Sequence, residues 1–534
     1  MIRLTLLLSF FIVIMASCKQ PGKQTVTIRD TTITQQNAFS ELFLDSADLE
    51  KHIAQQQLPD TIANRMRSFY NSRNYQFAWF TNDGLAEQAH AFWNLHNNYI
   101  NLSQDSTIGD KQLHDRMVQF SEEDSLMNAD KSEIIETEFL LTRHFFDYAQ
   151  YAYAGTIDPS ELQWHIPRKK INVMVLLDSL VASKGQNIDA WEPVNEMYKR
   201  MRQQLLVYRQ IEQSGGWDSI PVTKKSIVPG DSGRAVLQLK KRLIASHDYT
   251  ATDTSALYSK ALNTAVQQMQ KRFGFAEDGK VLPELVKQLN VSVTERIKQV
   301  LINMERIRWM PKEASGVRLV ANIPEYKLHV LDGKKEVFNI DIVVGKTANK
   351  TVIFNDQLKY VVFSPYWNIP RSIVRNEILP AMQKNSNYLR VKNMEQTGFS
   401  NGLPIIRQKP GGSNALGKVK FIFPNNYNIY FHDTPAKTLF NKRERAFSHG
   451  CIRVAEPFKL AAYLLQDQPA WTQEKIAAAM NASKELWVPI QQPVPVVITY
   501  FTAWIDGEGL LNLRDDVYGL DNKLAERLFE NLIP

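Results

Sequence analysis

The alternation of apolar and polar positions changes period along the chain. From residue 38 to about 215, apolar residues recur at helical spacing; Ile62, Met66, Phe69 and Tyr70 fall at i, i+4, i+7 and i+8. The run Ile134–Tyr153 predicts a long helix closed by Gly155. No constellation of reactive side chains accompanies these helices, so 38–222 is expected to be a helical scaffold domain. A small unit follows over 223–292. Val236, Leu239 and Leu243 share one helix face, and Ala265, Met269 and Phe273 share another. The turns Pro229–Gly233 and Glu277–Gly279 bracket them. Thr294–Met310 predicts an amphipathic helix with Ile297, Val300, Leu301, Met304 and Ile307 on one side, inside a linker over 293–314.

Beyond Pro311 the period becomes two. Strands are expected at Val317–Asn322, Lys327–Leu331, Glu336–Val344, Lys359–Phe363, Val419–Phe423 and Ile429–Asp433. Asp332-Gly333 makes a hairpin turn, and Val496–Trp504 with Leu510–Leu513 predicts a terminal hairpin. Helices are expected near Ile373–Met382 and Pro457–Leu465. The fold class is therefore multidomain α+β: a helical scaffold, a small helical unit and a mainly-β domain over 315–534.

The amino terminus carries a different pattern. Leu4–Met15 is apolar except Thr5 and Ser9, and Arg3 precedes it. A spanning helix needs about 20 apolar residues, so 1–17 is expected to be a signal peptide. Ala16-Ser17-Cys18 resembles the lipobox of bacterial lipoproteins, which implies lipid on Cys18 and a membrane partner at the envelope. Polar residues up to Asn37 are expected to form a flexible tether.

With 534 residues the length prior is three to four domains. Only two cysteines, Cys18 and Cys451, exclude a disulfide-stapled scaffold. The net charge of +7 is small for this length and gives no argument for nucleic acid.

The candidate chemistry lies in Tyr430-Phe431-His432-Asp433 followed by Ser448-His449-Gly450-Cys451-Ile452-Arg453. A thiol is a weak nucleophile until it loses its proton. An imidazole such as His432 can take that proton, and a helix predicted after Cys451 would lower the thiol pKa further. Gly450 permits a sharp turn that exposes backbone N–H groups to an oxyanion. Asp433 follows His432 on a strand, so its side chain faces away, and a backbone carbonyl is the remaining kind of group to orient the imidazole. Acyl transfer through a thioester is the expected reaction type.

A His, a spacer, then Ser-His-Gly-Cys resembles the L,D-transpeptidase (YkuD-type) catalytic domain. The stretches VANIPEYKLHVLDGKKEVFNIDIVVGK, VVFSPYWNIPRSIVRNEILP and NMERIRWMP resemble its large YcbB-like branch, and IVPGDSGRAVLQLKKRL resembles a three-helix peptidoglycan-binding domain. Arg453 stands where many members have Asn, and Val352 where Pro is common. The resemblance implies that Cys451 attacks a stem tetrapeptide at its third residue, that D-alanine leaves, and that a neighbouring amine completes a cross-link. It gives His432 the acid–base role. The N–H groups of His449, Gly450 and Cys451 would hold the oxyanion, and Arg453, Ser448, Tyr430 and Trp367 would line the substrate cleft. No cofactor and no metal are implied. It also implies a lid insertion over about 367–425. Between Trp367 and Tyr430 nine Lys/Arg face two Glu, a balance that favours the carboxylates of stem peptides. Water as acceptor would give an L,D-carboxypeptidase. A sortase-like transpeptidase and a non-catalytic wall-tethering lipoprotein are the alternatives; the spacing of Cys451 and His432 fits a sortase poorly.

Overall fold

The computed structural model describes residues 26–122, 130–222, 225–250, 253, 255–311 and 315–530. Cys18, the expected signal peptide and the start of the expected tether lie outside these residues. Among the described residues no helix is long and apolar enough to cross a membrane. Contacts divide the chain into two units, each described by itself.

The first unit comprises the described part of Met1–Asn97, with Ile108–Ala149 and Asn172–Glu192. Its centre is the Lys131–Ala149 helix, which is apolar on most sides and buried accordingly. Phe145 packs there with Trp79 and Phe92. Glu138 on the same helix is fully buried; its carboxylate accepts from Ala78 N (2.6 Å), Trp79 N (3.0 Å) and the Tyr70 hydroxyl (3.1 Å). Residues 26–37, expected to be a free tether, are instead fastened to this unit. Asp30 N donates to Asn71 O (2.8 Å), and Arg29 Nε donates to Asn74 Oδ1 (2.7 Å) with its guanidinium over the Tyr75 ring. Polarity alone did not show that these side chains have partners. The predicted Ile134–Tyr153 helix also changes spacing: α-helical turns stop at Ala149, and Gln150–Ala154 winds with π spacing before Gly155 at φ +86°.

The second unit holds Asn98–Thr107, Gln150–Ile171 and everything from Pro193. The helices Arg234–Ala245 and Lys260–Phe273 bury Val236, Leu239, Leu243, Ala265, Met269 and Phe273, the faces that periodicity picked out, and the short helix Pro283–Leu289 adds Leu285 and Leu289. Ser259 caps the second of these, and Gly274 ends it in the left-handed conformation at φ +70°. The Val293–Trp309 helix is no linker with one covered side. It buries Ile297, Val300 and Ile307, and also Arg296, Asn303, Glu305, Arg306 and Arg308. Glu305 accepts from Thr156 N (2.7 Å) and Trp309 Nε1 (3.0 Å) and pairs with Arg308. Arg306 pairs with Asp521 at 2.6 Å. Hydrophobic periodicity cannot see charges that are buried because they are paired.

Nine strands form the main sheet: β1 Val317–Asn322, β2 Lys327–Asp332, β3 Lys335–Gly345, β4 Asn355–Phe363, β5 Val419–Ile422, β6 Phe431–His432, β7 Ala446–Ser448, β8 Ile452–Val454 and β9 Leu486–Thr499. Their order is β7-β3-β8-β6-β5-β4-β9-β1-β2. β2 also pairs with the first part of β3, so the sheet closes on itself. Most neighbours are antiparallel; β6–β8, β9–β1 and β7–β3 are parallel. Alternate residues such as Leu319, Ala321, Leu328, Val330, Ile340 and Ile342 fill the core.

Two boundaries differ from expectation. The predicted strand Val496–Trp504 is the second half of β9, which runs between β4 and β1; the terminal hairpin is Ala503–Ile505 with Leu511–Leu513. The insertion ends before Val419, because β5 belongs to the main sheet. From Trp367 to the residues before β5 it has its own three-stranded sheet and its own apolar cluster, including Ile373, Val374, Ile378 and Ile406.

Candidate active site

The parallel pairing of β6 with β8 sets Phe431 beside Ile452 and His432 beside Arg453. Successive strand residues point to opposite faces. Phe431 and Ile452 are fully buried in the core on one face. The same register puts Tyr430, His432, Cys451 and Arg453 together on the other, and Ile452 N donates to Tyr430 O (3.1 Å) to extend the pairing. A strand of two residues thus aligns four polar side chains with one another. Cys451 does not lead into the helix that residue order suggests. It precedes β8, and the next helix is Pro457–Leu464, so no helix N-terminus acts on the sulfur.

His432 is buried, and its Nδ1 lies 2.5 Å from the backbone carbonyl of Asp433. That carbonyl can only accept, so Nδ1 carries the proton and Nε2 is left as a lone-pair donor. The Asp433 carboxylate faces elsewhere, accepting from Lys418 N (2.9 Å) and pairing with Lys437 (2.7 Å). Burial, reinforced by the Arg453 charge, pulls the His432 pKa down to about 4. Burial pushes the Cys451 thiol above its ordinary value, against hydrogen bonds from Tyr430 and the charge of Arg453. The thiol reaches Asn428 O at 3.5 Å. Two desolvated neutral groups therefore face the cleft at neutral pH, not the ready-ionised sulfur that residue types alone suggest.

The turn ahead of the sulfur is braced from several directions. Gly450 sits at φ +118°, a conformation side chains resist. Ser448 is buried; its hydroxyl donates to Cys451 O (2.6 Å) and accepts from Gly450 N (3.2 Å). Ser448 thus shapes the turn and does not line the cleft, and the Gly450 N–H, expected to serve an oxyanion, is already engaged. Thr351 Oγ1 donates to Gly450 O (2.8 Å) and accepts from Gly345 N (2.9 Å). The Tyr518 hydroxyl donates to Gly345 O (2.6 Å) and accepts from Thr351 N (3.2 Å). A Cβ on Gly345 would lie 2.1 Å from Asn349 O and 3.1 Å from Gly450 Cα, so only glycine lets these backbones meet. Thr351, Gly345 and Tyr518 were absent from the sequence-predicted site. Thr351 follows a strand end in a motif-bearing stretch, whereas Tyr518 has no local signal at all.

The remaining candidates separate. Arg453 has no acidic partner among the described residues, and its Nε is buried without a hydrogen bond. Trp367 packs against the apolar cluster of the insertion and is not among the four aligned side chains. His449 Nε2 lies 3.1 Å from Glu377 Oε1, which stands on the π-wound Val374–Ile378 segment of the insertion; both side chains are about half exposed. Of the nine basic residues counted there, Arg407 and Lys409 pair with Glu395, and Lys420 with Glu485. Arg371, Arg375, Lys384, Arg390 and Lys392 have no ion pair among the described residues. Nor does any group of three His, Cys, Asp or Glu among those residues have the arrangement of a metal site.

A thiol, an imidazole and a guanidinium with no acidic partner among the described residues thus stand together beside a glycine turn. Three family models match the chain. Residues 316–490 match the L,D-transpeptidase catalytic domain, 232–289 the family described as "Putative peptidoglycan binding domain", and 64–205 a scaffold domain. The chain thus carries an L,D-transpeptidase catalytic domain of the YkuD family beside a peptidoglycan-binding domain and a helical scaffold. A Haemophilus influenzae protein named "Putative L,D-transpeptidase" is 31% identical over 242 residues, which cover 42% of this chain and 49% of that one. The chain therefore matches about half the length of this curated relative. Among solved structures, an L,D-transpeptidase from Mycobacterium smegmatis aligns at 12% identity over 35% of this chain and 61% of its own, with TM-score 0.20. One from Stackebrandtia nassauensis aligns at 13% over 52% and 97%, with TM-score 0.21.

Proposed function

We propose that the protein is a cysteine L,D-transpeptidase that forms 3→3 cross-links between peptidoglycan stem peptides. The observation that supports this most is the β6–β8 register, which aligns Cys451, His432, Tyr430 and Arg453 on one face of the matched catalytic domain. Cys451 Sγ attacks the carbonyl carbon of the third residue of a donor tetrapeptide while His432 Nε2 takes the thiol proton. The C–N bond to the terminal D-alanine then breaks, His432 returns the proton to the departing amine, and a thioester remains. An acceptor amine from a second stem attacks the thioester, forms the new amide and restores the thiol. Arg453 receives a substrate carboxylate; it is part-buried, its Nε has no hydrogen-bond partner, and it has no acidic partner among the described residues. Water in place of the amine gives the L,D-carboxypeptidase outcome from the same intermediate.

The substrate places the protein at the cell envelope, and lipid on Cys18 would anchor it there. The test is incubation of full-length protein with purified tetrapeptide muropeptides, followed by mass spectrometry. The expected product is a 3→3 dimer with release of D-alanine and a transient adduct on Cys451. Dimer formed equally by Cys451→Ala would refute the mechanism. Release of D-alanine to give only tripeptide would favour the carboxypeptidase.

A further inference from the structure

Residues 26–33 lie along the Asp60–Ser72 helix of the first unit and the turn after it. Thr27 N donates to Ser68 Oγ (3.2 Å), and Asn71 Nδ2 donates to Thr27 O (2.9 Å). Asp30 N donates to Asn71 O (2.8 Å), Arg29 Nε to Asn74 Oδ1 (2.7 Å), and Asn74 Nδ2 to Ile33 O (2.7 Å). The Arg29 side chain thus turns onto the unit, and its guanidinium covers the Tyr75 ring at 4.8 Å. Ile28, one place earlier, turns away. It is 89% exposed, more than any other large apolar residue among the described residues, and Val26 is exposed too.

A single exposed isoleucine needs no explanation. The place of this one does. Eight residue steps separate Val26 from Cys18. A fully extended chain covers at most about 3.6 Å per residue, so Val26 stays within about 30 Å of the lipid proposed on Cys18. The charged residues from 19 to 29 are Lys19, Lys23 and Arg29, with no acid among them. The first acid, Asp30, is turned onto Thr32, accepting from its N (2.9 Å) and its Oγ1 (2.6 Å). Anionic headgroups attract such basic side chains, and apolar side chains gain by leaving water at the acyl boundary. Neither attraction is strong alone. An anchor on the same chain raises the local concentration of the bilayer surface until a weak contact is occupied. A second copy of the chain, or a soluble partner, has no such tether to bring it to this edge.

We propose that Val26 and Ile28 form a membrane-contact edge of the first unit, entering the headgroup layer of an anionic phospholipid bilayer beside the lipid on Cys18. The local concentration rests on the proposed lipid; the edge itself rests on the geometry of residues 26–33. For the test, lipidated protein carrying Cys451→Ser and Ile28→Cys, labelled at position 28 with the fluorophore NBD, is reconstituted into vesicles of phosphatidylethanolamine and phosphatidylglycerol. Brominated lipids should quench the label about twofold, and aqueous iodide should not reach it. In parallel, the mature chain, residues 18–534 with Cys18→Ser, is cosedimented with the same vesicles. Ile28→Asp should weaken its partition about tenfold, and so should replacing the lipid with phosphatidylcholine. Ile28 is nearly fully exposed, so Ile28→Asp should leave the circular dichroism spectrum and cross-link formation in solution unchanged. A label quenched by iodide and not by brominated lipid overturns the proposal. So does partition indifferent to Ile28→Asp or to the anionic lipid, and so do Ile28-dependent dimers formed without vesicles. A protein mass showing no lipid on Cys18 would remove the anchor alone, because the Cys18→Ser chain reads the edge without it.

Discussion

The face that carries Cys451 and the outward face of β1–β3 belong to one sheet and follow different electrostatic plans. On the first, Arg453 has no acidic partner among the described residues, and burial lowers the His432 pKa and raises that of the Cys451 thiol. On the second, Asp341 pairs with Lys327 and Arg445, and His329 lies between Glu325 and Glu336. The difference teaches how one sheet can leave a charge open for a ligand on one side and match charges internally on the other; in the proposed function a stem-peptide carboxylate supplies what Arg453 lacks.

The sharpest way to break this contrast is at the imidazole. His432→Gln should lower kcat/KM for cross-linking by about 10²–10⁴, measured by dimer formation from tetrapeptide muropeptides. Arg453→Gln should come next. Loss of a charge-assisted bond to carboxylate should cost about 1.5–3 kcal/mol and fall mainly on KM, checked by steady-state kinetics with donor tetrapeptides. pH separates the two regions without mutation. His432 binds its proton only near pH 4, so its neutral base form persists above that, and the acid limb of kcat/KM should fall near 4 and not near 6.5. His329 is held protonated up to about 10 by its two carboxylates, and Glu336 ionised down to about 2, so the His329 ring should show no titration between pH 5 and 8 when followed by NMR. The smallest effect is expected at Glu377. Its half-exposed bond to His449 is worth about 0.2–1 kcal/mol, so Glu377→Gln should change kcat/KM by at most about fivefold, checked by steady-state kinetics.

Much of the catalytic face could be read from residue order. The Ser-His-Gly-Cys turn, the upstream His432 and the strand period fall within short windows, and the outward direction of Asp433 follows from strand geometry alone. What could not be read was whatever depends on distant partners. The missing acid beside Arg453 is a property of the whole fold, as is the neutrality that burial imposes on the thiol. The Val293–Trp309 helix looked like a one-sided linker because its buried arginines count as polar in any periodicity. Ser448 looked like a cleft residue and is a brace, a distinction that rests on two hydrogen bonds.

The Tyr518 hydroxyl, clamped between Gly345 O and Thr351 N, reaches further than its place near the carboxyl end suggests. The family match stops at residue 490, midway through β9, yet the brace on the nucleophile's turn comes from beyond it. The mechanical domain is therefore longer than the recognisable one. Trimming the protein to its matched segment would cut a central strand and release the loop beneath the sulfur, so an inert fragment of that length would say nothing against the chemistry of the intact chain.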